Sequence, residues 1–564
     1  MDVRRSIIFV GLAIVSYMLI LAWNDDYGQV PVQPTASSVY PTTTIESSSE
    51  LVHKVESSEF TTPEESNVVQ SNITASNNNA GPDSTPLQKS ISVKTDVLDL
   101  VIDLKGGNIV FAAMPEYKVT LGSEQSLPLL ESNSARHYVV ESGLFGKNGF
   151  DSSKNGPMPS YTTSSNQYEL TENQDELVVD LTFQDATGVS VIKRYQFSRN
   201  DYLINVSYLI DNQSQAAWEG NFSGKIVRDK STDPSQQSSM GMQSFLGMAL
   251  SSAEKPYEKY DFEDMSEEPI NQQIQGGWIS FIQHYFLSAW IPNAEVTHTY
   301  QSKVRNNLFL MGFISPATVV EAGSSGEVSA SLYLGPKIID RLEKITPNLD
   351  LTVDFGWLFF IATPLFLLLD FFYGLVQNWG IAIILVTLVV KAIFFKLSAA
   401  SYRSMANMRR VAPKLKTLKD QHGDDRQKMS QAMMELYKKE KINPLGGCLP
   451  ILVQMPVFIA LYWVLLESVQ LRHAPFMFWI TDMSVKDPLF ILPILMGISM
   501  FIQMQLNPAP PDPMQAKIMK IMPIMMTVFF LWFPAGLVLY WLVNNILSIS
   551  QQWVITRQIE KANP

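Results

Sequence analysis

The stretch IAIILVTLVVKAIFFKL, residues 381–397, and the stretch after it, SAASYRSMANMRRVAPKLKTLKDQHGDDRQKMSQAMMELYKKEK, residues 398–441, decide how this chain is read. The first is apolar and close to the ~20 residues that cross a bilayer core. The second carries 11 Lys/Arg against 5 Asp/Glu. Basic loops beside spans stay in the cytoplasm, so 381–397 reads as a span entering the cytoplasm at its C-terminal end. Another apolar stretch, 357–376, precedes it by only Gln377-Asn378-Trp379-Gly380. If both crossed, the basic stretch would lie outside. The expectation is therefore that 357–376 lies in the interface plane, with Thr363, Asp370 and Gln377 forming a polar stripe every seven residues. Further apolar segments occur at 449–469, 489–506, 518–533 and 536–554. With 380–397 they make a five-span helical bundle. Arg557 and Lys561 agree with a cytoplasmic C-terminus and a short tail at 559–564.

Working outward, the two halves of the chain suit different solvents. From Trp379 onward there are 19 Lys/Arg and 10 Asp/Glu, a balance of +9; with −12 overall, residues 1–378 carry −21. At the N-terminus Arg4 and Arg5 precede the apolar run 6–23, and Asn24-Asp25-Asp26 follows with no small-x-small cleavage pattern. Residues 1–27 read as an uncleaved signal anchor with its N-terminus in the cytoplasm. Residues 28–90 are Ser/Thr/Asn/Pro-rich and too poor in large apolar residues to offset their ordering entropy, which makes them a flexible linker.

Residues 91–345 read as an extracytoplasmic all-β domain. Val93, Thr95 and Val97, then Leu98, Leu100, Ile102 and Leu104, alternate with polar residues, and Gly106-Gly107 breaks the run. Similar runs recur at 176–183, 189–197, 202–210, 308–313 and 327–334. Period-2 alternation punctuated by turn residues is the pattern of antiparallel sandwich strands. Residues 336–349 read as a short helix leading to the membrane, and 346–378 as the interfacial segment.

Within the basic stretch, Met408, Val411, Leu415 and Leu418 follow a 3-4-3 spacing, and Met429, Ala432 (or Met433) and Leu436 do likewise. Gly423 ends one helix and Asp424 or Asp425 caps the next, giving a helical hairpin with an apolar seam. Arg409, Arg410, Lys414, Lys438 and Lys439 fall on its outer faces. Two readings stay open for them: charge that only fixes topology, or a docking arm for ribosomal RNA or lipid headgroups.

Lys391 is the residue singled out in the spans. A charge there costs at least ~2.5–3.5 kcal/mol and faces a cavity or partner. Alternatively it snorkels, since Leu397 is roughly 9 Å on at helical rise. Thr387, Gln454, Tyr540, Asn544 and Asn545 are candidates to line a hydrophilic groove with it, or to hydrogen-bond helix to helix. Met519, Met522 and Met526 with Phe529 and Phe530 form a soft apolar run suited to core filling or to a slide for varied client segments.

Catalytic chemistry finds no foothold. There is no Gly-rich phosphate loop or nucleophile elbow. The six histidines are scattered and the single cysteine, Cys448, sits in an apolar run, so neither a metal, a cofactor nor an intrachain disulfide is expected. A small-molecule transporter would carry inverted repeats, and a membrane-anchored sugar enzyme would leave the C-terminal bundle without a role.

The stretches Asn443-Pro444-Leu445-Gly446-Gly447-Cys448, Gln454-Met455-Pro456, Ile491-Leu492-Pro493-Ile494-Leu495-Met496-Gly497, Asp512-Pro513-Met514-Gln515 and Phe530-Leu531-Trp532-Phe533-Pro534-Ala535-Gly536-Leu537 closely resemble the YidC membrane-protein insertases, in order and spacing along most of 350–558. The anchor and β-domain are similar to the Gram-negative form. The resemblance implies an insertase core at 379–558, a groove open to cytoplasm and lipid, and a periplasmic supersandwich similar to sugar mutarotases at 91–345. It implies nascent membrane-protein clients, the Sec translocon, the ribosome and membrane lipids as partners, with no nucleotide or other small-molecule substrate. Lys391 stands where the family's groove carries an arginine; it keeps the charge and loses the fork.

Overall fold

The computed structural model describes residues 90–236, 244–422, 426–440, 449–507 and 513–562. The expected anchor, residues 1–27, nearly all of the linker, Cys448 and the hairpin turn at 423–425 lie outside the described residues.

Alternation builds the β-domain as the sequence reading expects. In Val189–Ser198 every second residue is buried. This strand pairs antiparallel with Glu176–Gln184 on one side and Leu203–Asn212 on the other, inside an eight-stranded sheet. A ten-stranded sheet lies against it. It includes one parallel pairing, Ser90–Lys94 with Gln167–Glu169. The sheets share one core: the Tyr138 hydroxyl meets Ser288 Oγ at 2.6 Å, and the Trp290 indole N–H donates to Lys225 O at 3.1 Å. Gly224 permits this approach, because a Cβ there would sit 2.7 Å from the rings of both Trp290 and Phe313.

Several strands escape the alternation test because polar residues occupy interior positions. Trp218–Arg228 buries Asn221, Ser223, Lys225 and Arg228. Each has a partner: Lys225 pairs with Glu141 at 3.2 Å, and the Arg228 guanidinium lies over Phe281 and Tyr138, 4.5 and 4.9 Å from their ring centres. Paired this way, a buried charge is tolerated, but it erases the period a sequence scan looks for. The helix expected over 336–349 is shorter, Ile339–Ile345, followed by a 3-10 turn at Leu349–Thr352.

The C-terminal half is helical: α1 (Phe359–Val376), α2 (Trp379–Ile393), α3 (Phe395–His422), α4 (Arg426–Lys439), α5 (Leu449–Glu467), α6 (Ile491–Leu506), α7 (Pro513–Phe530) and α8 (Ala535–Ala562). Among the described residues, 356–376 is the one unbroken helix long and apolar enough to cross a membrane; α2 with the start of α3 also passes, but as a pair bent by 67°. The break falls at Phe394, three residues before the boundary expected at Leu397. α1 buries Ala362, Leu365, Phe366 and Leu369 on α2 and α5, and turns Phe359, Leu367, Phe371 and Leu375 outward. The helical hairpin exists as α3 and α4. Its seam holds Met408, Val411, Leu415 and Met433 with Tyr437, while Leu418, Met429 and Leu436, expected there, lie outside the cluster. α8 runs past the expected end at 554, through residues read as a tail. α6 and α7 cross closely at Gly497, where a Cβ would lie 1.9 Å from Thr527 Oγ1.

The β-domain is joined to the core at the end of α5. Lys337 donates to Glu467 at 2.7 Å, both side chains about 1 % exposed. Arg472 donates to Val119 O at 3.0 Å. His284 Nε2 meets Leu466 O at 2.8 Å, which makes Nε2 the protonated nitrogen. Burial lowers the pKa of His284, opposed by Glu467 and Asp233 and reinforced by Lys337. Folded His284 thus stays neutral at pH values where an unfolded histidine, near 6.5, takes up a proton. Its stabilisation is present above pH 6.5 and declines on acidification by up to ~1.4 kcal/mol per pH unit. Thermal unfolding of the detergent-solubilised chain between pH 7.5 and 5.5 will show a smaller fall in Tm for His284→Gln than for the wild type. Equal slopes would refute this assignment.

Candidate functional site

α2 is apolar over its length and capped by Asn378, whose side chain accepts from Ile381 N. Lys391 interrupts it in the last turn. Its Nζ donates to Ser548 Oγ on α8 at 2.7 Å. Ser548 donates in turn to Asn544 O at 2.7 Å, and the Tyr402 side chain of α3 lies near Ser548. One turn earlier on α8, Asn544 Oδ1 accepts from Gln454 Nε2 of α5. Lys391, Ser548, Asn544 and Gln454 therefore form one polar row across three helices. Beside it is a cavity of about 10 Å³ lined by Val390, Lys391, Phe394, Leu397, Ser398, Val453 and Gln454, enough for about one water. Among the described residues no carboxylate pairs with Lys391; Glu467 is committed to Lys337.

The other candidates are placed differently. Tyr540 is buried near Gln454, and its hydroxyl makes no hydrogen bond among the described residues. Thr387 is 1 % exposed and spends its hydroxyl on Ile383 O of its own helix at 2.6 Å, so it packs rather than lines. Asn545 faces away, donating to Ser499 Oγ of α6 at 3.1 Å, where Gln552 continues the contact to Leu506 O. Successive helical positions point about 100° apart, which is why Asn544 and Asn545 separate. On α7, Met519, Met522 and Met526 are half-buried and Phe529 is exposed. Phe530 is buried against Phe533 and Trp541 and presents nothing to a sliding segment. The outward surface is instead Ile518, Ile521, Ile524, Met525 and Val528. On the hairpin Arg409, Arg410, Lys438 and Lys439 are exposed; Lys414 is exposed too but engaged with Glu440 at 2.5 Å.

Sequence reading missed Ser548 and Tyr402. For Ser548 a signal was present, one turn beyond Asn544 on the same face. Tyr402 sits in a stretch read only as hairpin, and its packing on Ile555 of α8 had no marker in the sequence.

Residues 90–368 match the family model described as the YidC periplasmic domain, and residues 371–562 match the 60Kd inner membrane protein model. A membrane protein insertase YidC from Marinobacter nauticus is 57% identical over 566 residues, covering 99% of this chain and 99% of the relative. The chain belongs to the YidC membrane-protein insertase family. A second YidC insertase, from Hahella chejuensis, is 56% identical over 99% of this chain and 98% of its own length. Among solved structures, the active YidC insertase crystal structure with its first transmembrane domain resolved aligns with a TM-score of 0.38 at 16% identity, covering 83% of this chain and 92% of that one. As a YidC-family protein the chain is an insertase and not an enzyme. Its β-rich part is the family's periplasmic domain, its helical part the inner-membrane domain, and its clients are nascent membrane proteins.

Proposed function

We propose that this chain integrates and folds inner-membrane proteins, alone or beside the Sec translocon, through a hydrophilic groove centred on Lys391. The observation that carries the reading is the polar row of Lys391, Ser548, Asn544 and Gln454, which gives the ammonium a fixed seat with no carboxylate partner among the described residues. An uncompensated cation in a span attracts the acidic extracytoplasmic tail of a client and keeps water beside it. Tyr540 packs beside the row, Asn545 ties α8 to α6, and Thr387 packs within the bundle with its hydroxyl on its own helix. The client's apolar segment then leaves along α7, over Met519, Met522, Met526 and Phe529 and the outward Ile518, Ile521 and Met525.

In this reading residues 1–27 are a signal anchor, 28–90 a linker and 91–345 the periplasmic domain. Segment 346–378 lies in the outer interface and 379–558 is a five-span core. Residues 28–350 are periplasmic and both termini cytoplasmic. α1 is long enough to cross, but a crossing α1 would put the basic hairpin outside, against the charge rule. The exposed Arg409, Arg410, Lys438 and Lys439, with Lys414, suit anionic partners: ribosomal RNA as a client emerges, or lipid headgroups. The test is reconstitution of the purified chain in liposomes. A small single-span client becomes protease-protected above the level of empty liposomes. Protection no greater than in empty liposomes overturns the proposal of insertion without a translocon.

A further inference from the structure

The connection between α5 and α6, residues 472–490, is folded as tightly as the domains it joins. Phe476 N donates to Ile480 O at 3.0 Å, Met483 N to Ala474 O at 3.0 Å, and Gly536 N of α8 to Met483 O at 3.0 Å. Ala474, Ile480 and Met483 are buried. Asp487, fully buried, accepts from Leu492 N at 2.7 Å and from the Trp479 indole N–H at 2.9 Å. The Phe476 ring fills the space over Gly380, where a Cβ would fall 2.0 Å from it.

From this frame one tip projects. Phe478 is 86 % exposed, more than any other large apolar residue described, and Met477 beside it is 42 % exposed. Phe478 has φ of 56°, a left-handed conformation costly for a bulky residue. The loop thus accepts both strain and an exposed ring whose burial is worth roughly 1.5–3 kcal/mol. The ring lies 6.1 Å from that of Trp479, nearly parallel. The tip's level is fixed by Asn378, the cap of α2, which donates to Phe476 O at 2.9 Å. Asn378 lies two residues past the end of α1, and the outward face of α1 ends in Phe371 and Leu375, 60 % and 66 % exposed. The tip is thus tied to the start of α2, where the chain enters a span.

We propose that Met477–Phe478–Trp479 is a lipid anchor: Phe478 and Met477 enter the outer leaflet at the boundary of headgroups and acyl chains, with Trp479 at headgroup level. Amphipathic aromatic rings collect at that depth. The occupant is lipid because the loop is bracketed by two spans and hydrogen-bonded to the first residues of a third. The inference rests on the five-span topology proposed above.

The test places a nitroxide at Phe478→Cys in a Cys448→Ser chain, in phosphatidylethanolamine/phosphatidylglycerol liposomes containing no other protein. Collisions with oxygen relative to a water-soluble nickel complex will be several-fold higher than for the same label at Val319→Cys, an exposed site of the β-domain. A ratio equal to that at 319 puts the tip in water and overturns the anchor. So does spin–spin broadening from a second copy of the chain. Sidedness is read separately: an impermeant thiol reagent should reach Pro475→Cys only from the periplasmic side. Labelling from the cytoplasmic side refutes the topology, whatever the depth measured at 478.

Discussion

Lys391→Ala will cut insertion of a client with an acidic extracytoplasmic tail by about tenfold or more, and Lys391→Arg will keep most of it. The size follows from a small energy, since ~1.4 kcal/mol is a factor of ten. Two unit charges 4 Å apart attract by about 4 kcal/mol at the effective dielectric of a half-wet protein site, so losing a third of that attraction suffices. Arginine keeps the charge and adds donors. The alternative, a lysine that merely snorkels toward the cytoplasmic face, predicts no change on removing the charge. The geometry speaks against snorkelling, because the ammonium is held sideways to Ser548 of α8 rather than along its own helix. Protease protection in liposomes, with acidic and neutral-tailed clients side by side, separates the two. If Ala inserts the acidic-tailed client as well as the wild type does, the groove charge is idle and the apolar surface of α7 must carry the function.

What a sequence shows of such a site depends on whether one residue or a set is informative. Lys391 is conspicuous because a lone charge in an apolar run is costly wherever it points. Its neighbours are not: Asn544 and Asn545 are alike in sequence, and only the rotation of α8 sends one to Gln454 and the other to Ser499. Phe530 looks like part of an apolar slide until Trp541 and Phe533 are seen to cover it. The β-domain behaves in the same way. Strands with one wet face, such as Val189–Ser198, are visible as alternation, whereas Trp218–Arg228 hides because its inner polar residues find partners on other strands. The hairpin seam is legible in its middle: Met408, Val411, Leu415 and Met433 meet as the spacing expects, whereas Tyr437 joins them and Leu418, Met429 and Leu436 stay outside the cluster.

The joint between β-domain and core carries the second large effect. Glu467→Ala will leave Lys337 about 1 % exposed and without its carboxylate. Stripping one partner from a buried pair costs about 3–5 kcal/mol, which for a domain of this size lowers Tm by on the order of 10 °C. Replacing both partners with apolar residues, Lys337→Met with Glu467→Leu, will recover most of that loss, because the pair's own attraction little more than offsets the desolvation of two ions. Glu467 reinforces the argument: its Oε1 is buried with no hydrogen-bond partner among the described residues, so Lys337 is the one group among them seen to hold the carboxylate. An arrangement that is expensive and only half-satisfied contributes less to stability than to fixing which residues meet. Here it specifies that the end of the strand Ser324–Pro336 docks on the last turn of α5. Thermal unfolding of the three detergent-solubilised proteins decides the matter. A Glu467→Ala chain as stable as the wild type would mean that water reaches Lys337 and the joint is not dry. A double variant as weak as the single would mean that the charges themselves, rather than the avoidance of an unpaired one, hold the β-domain in place.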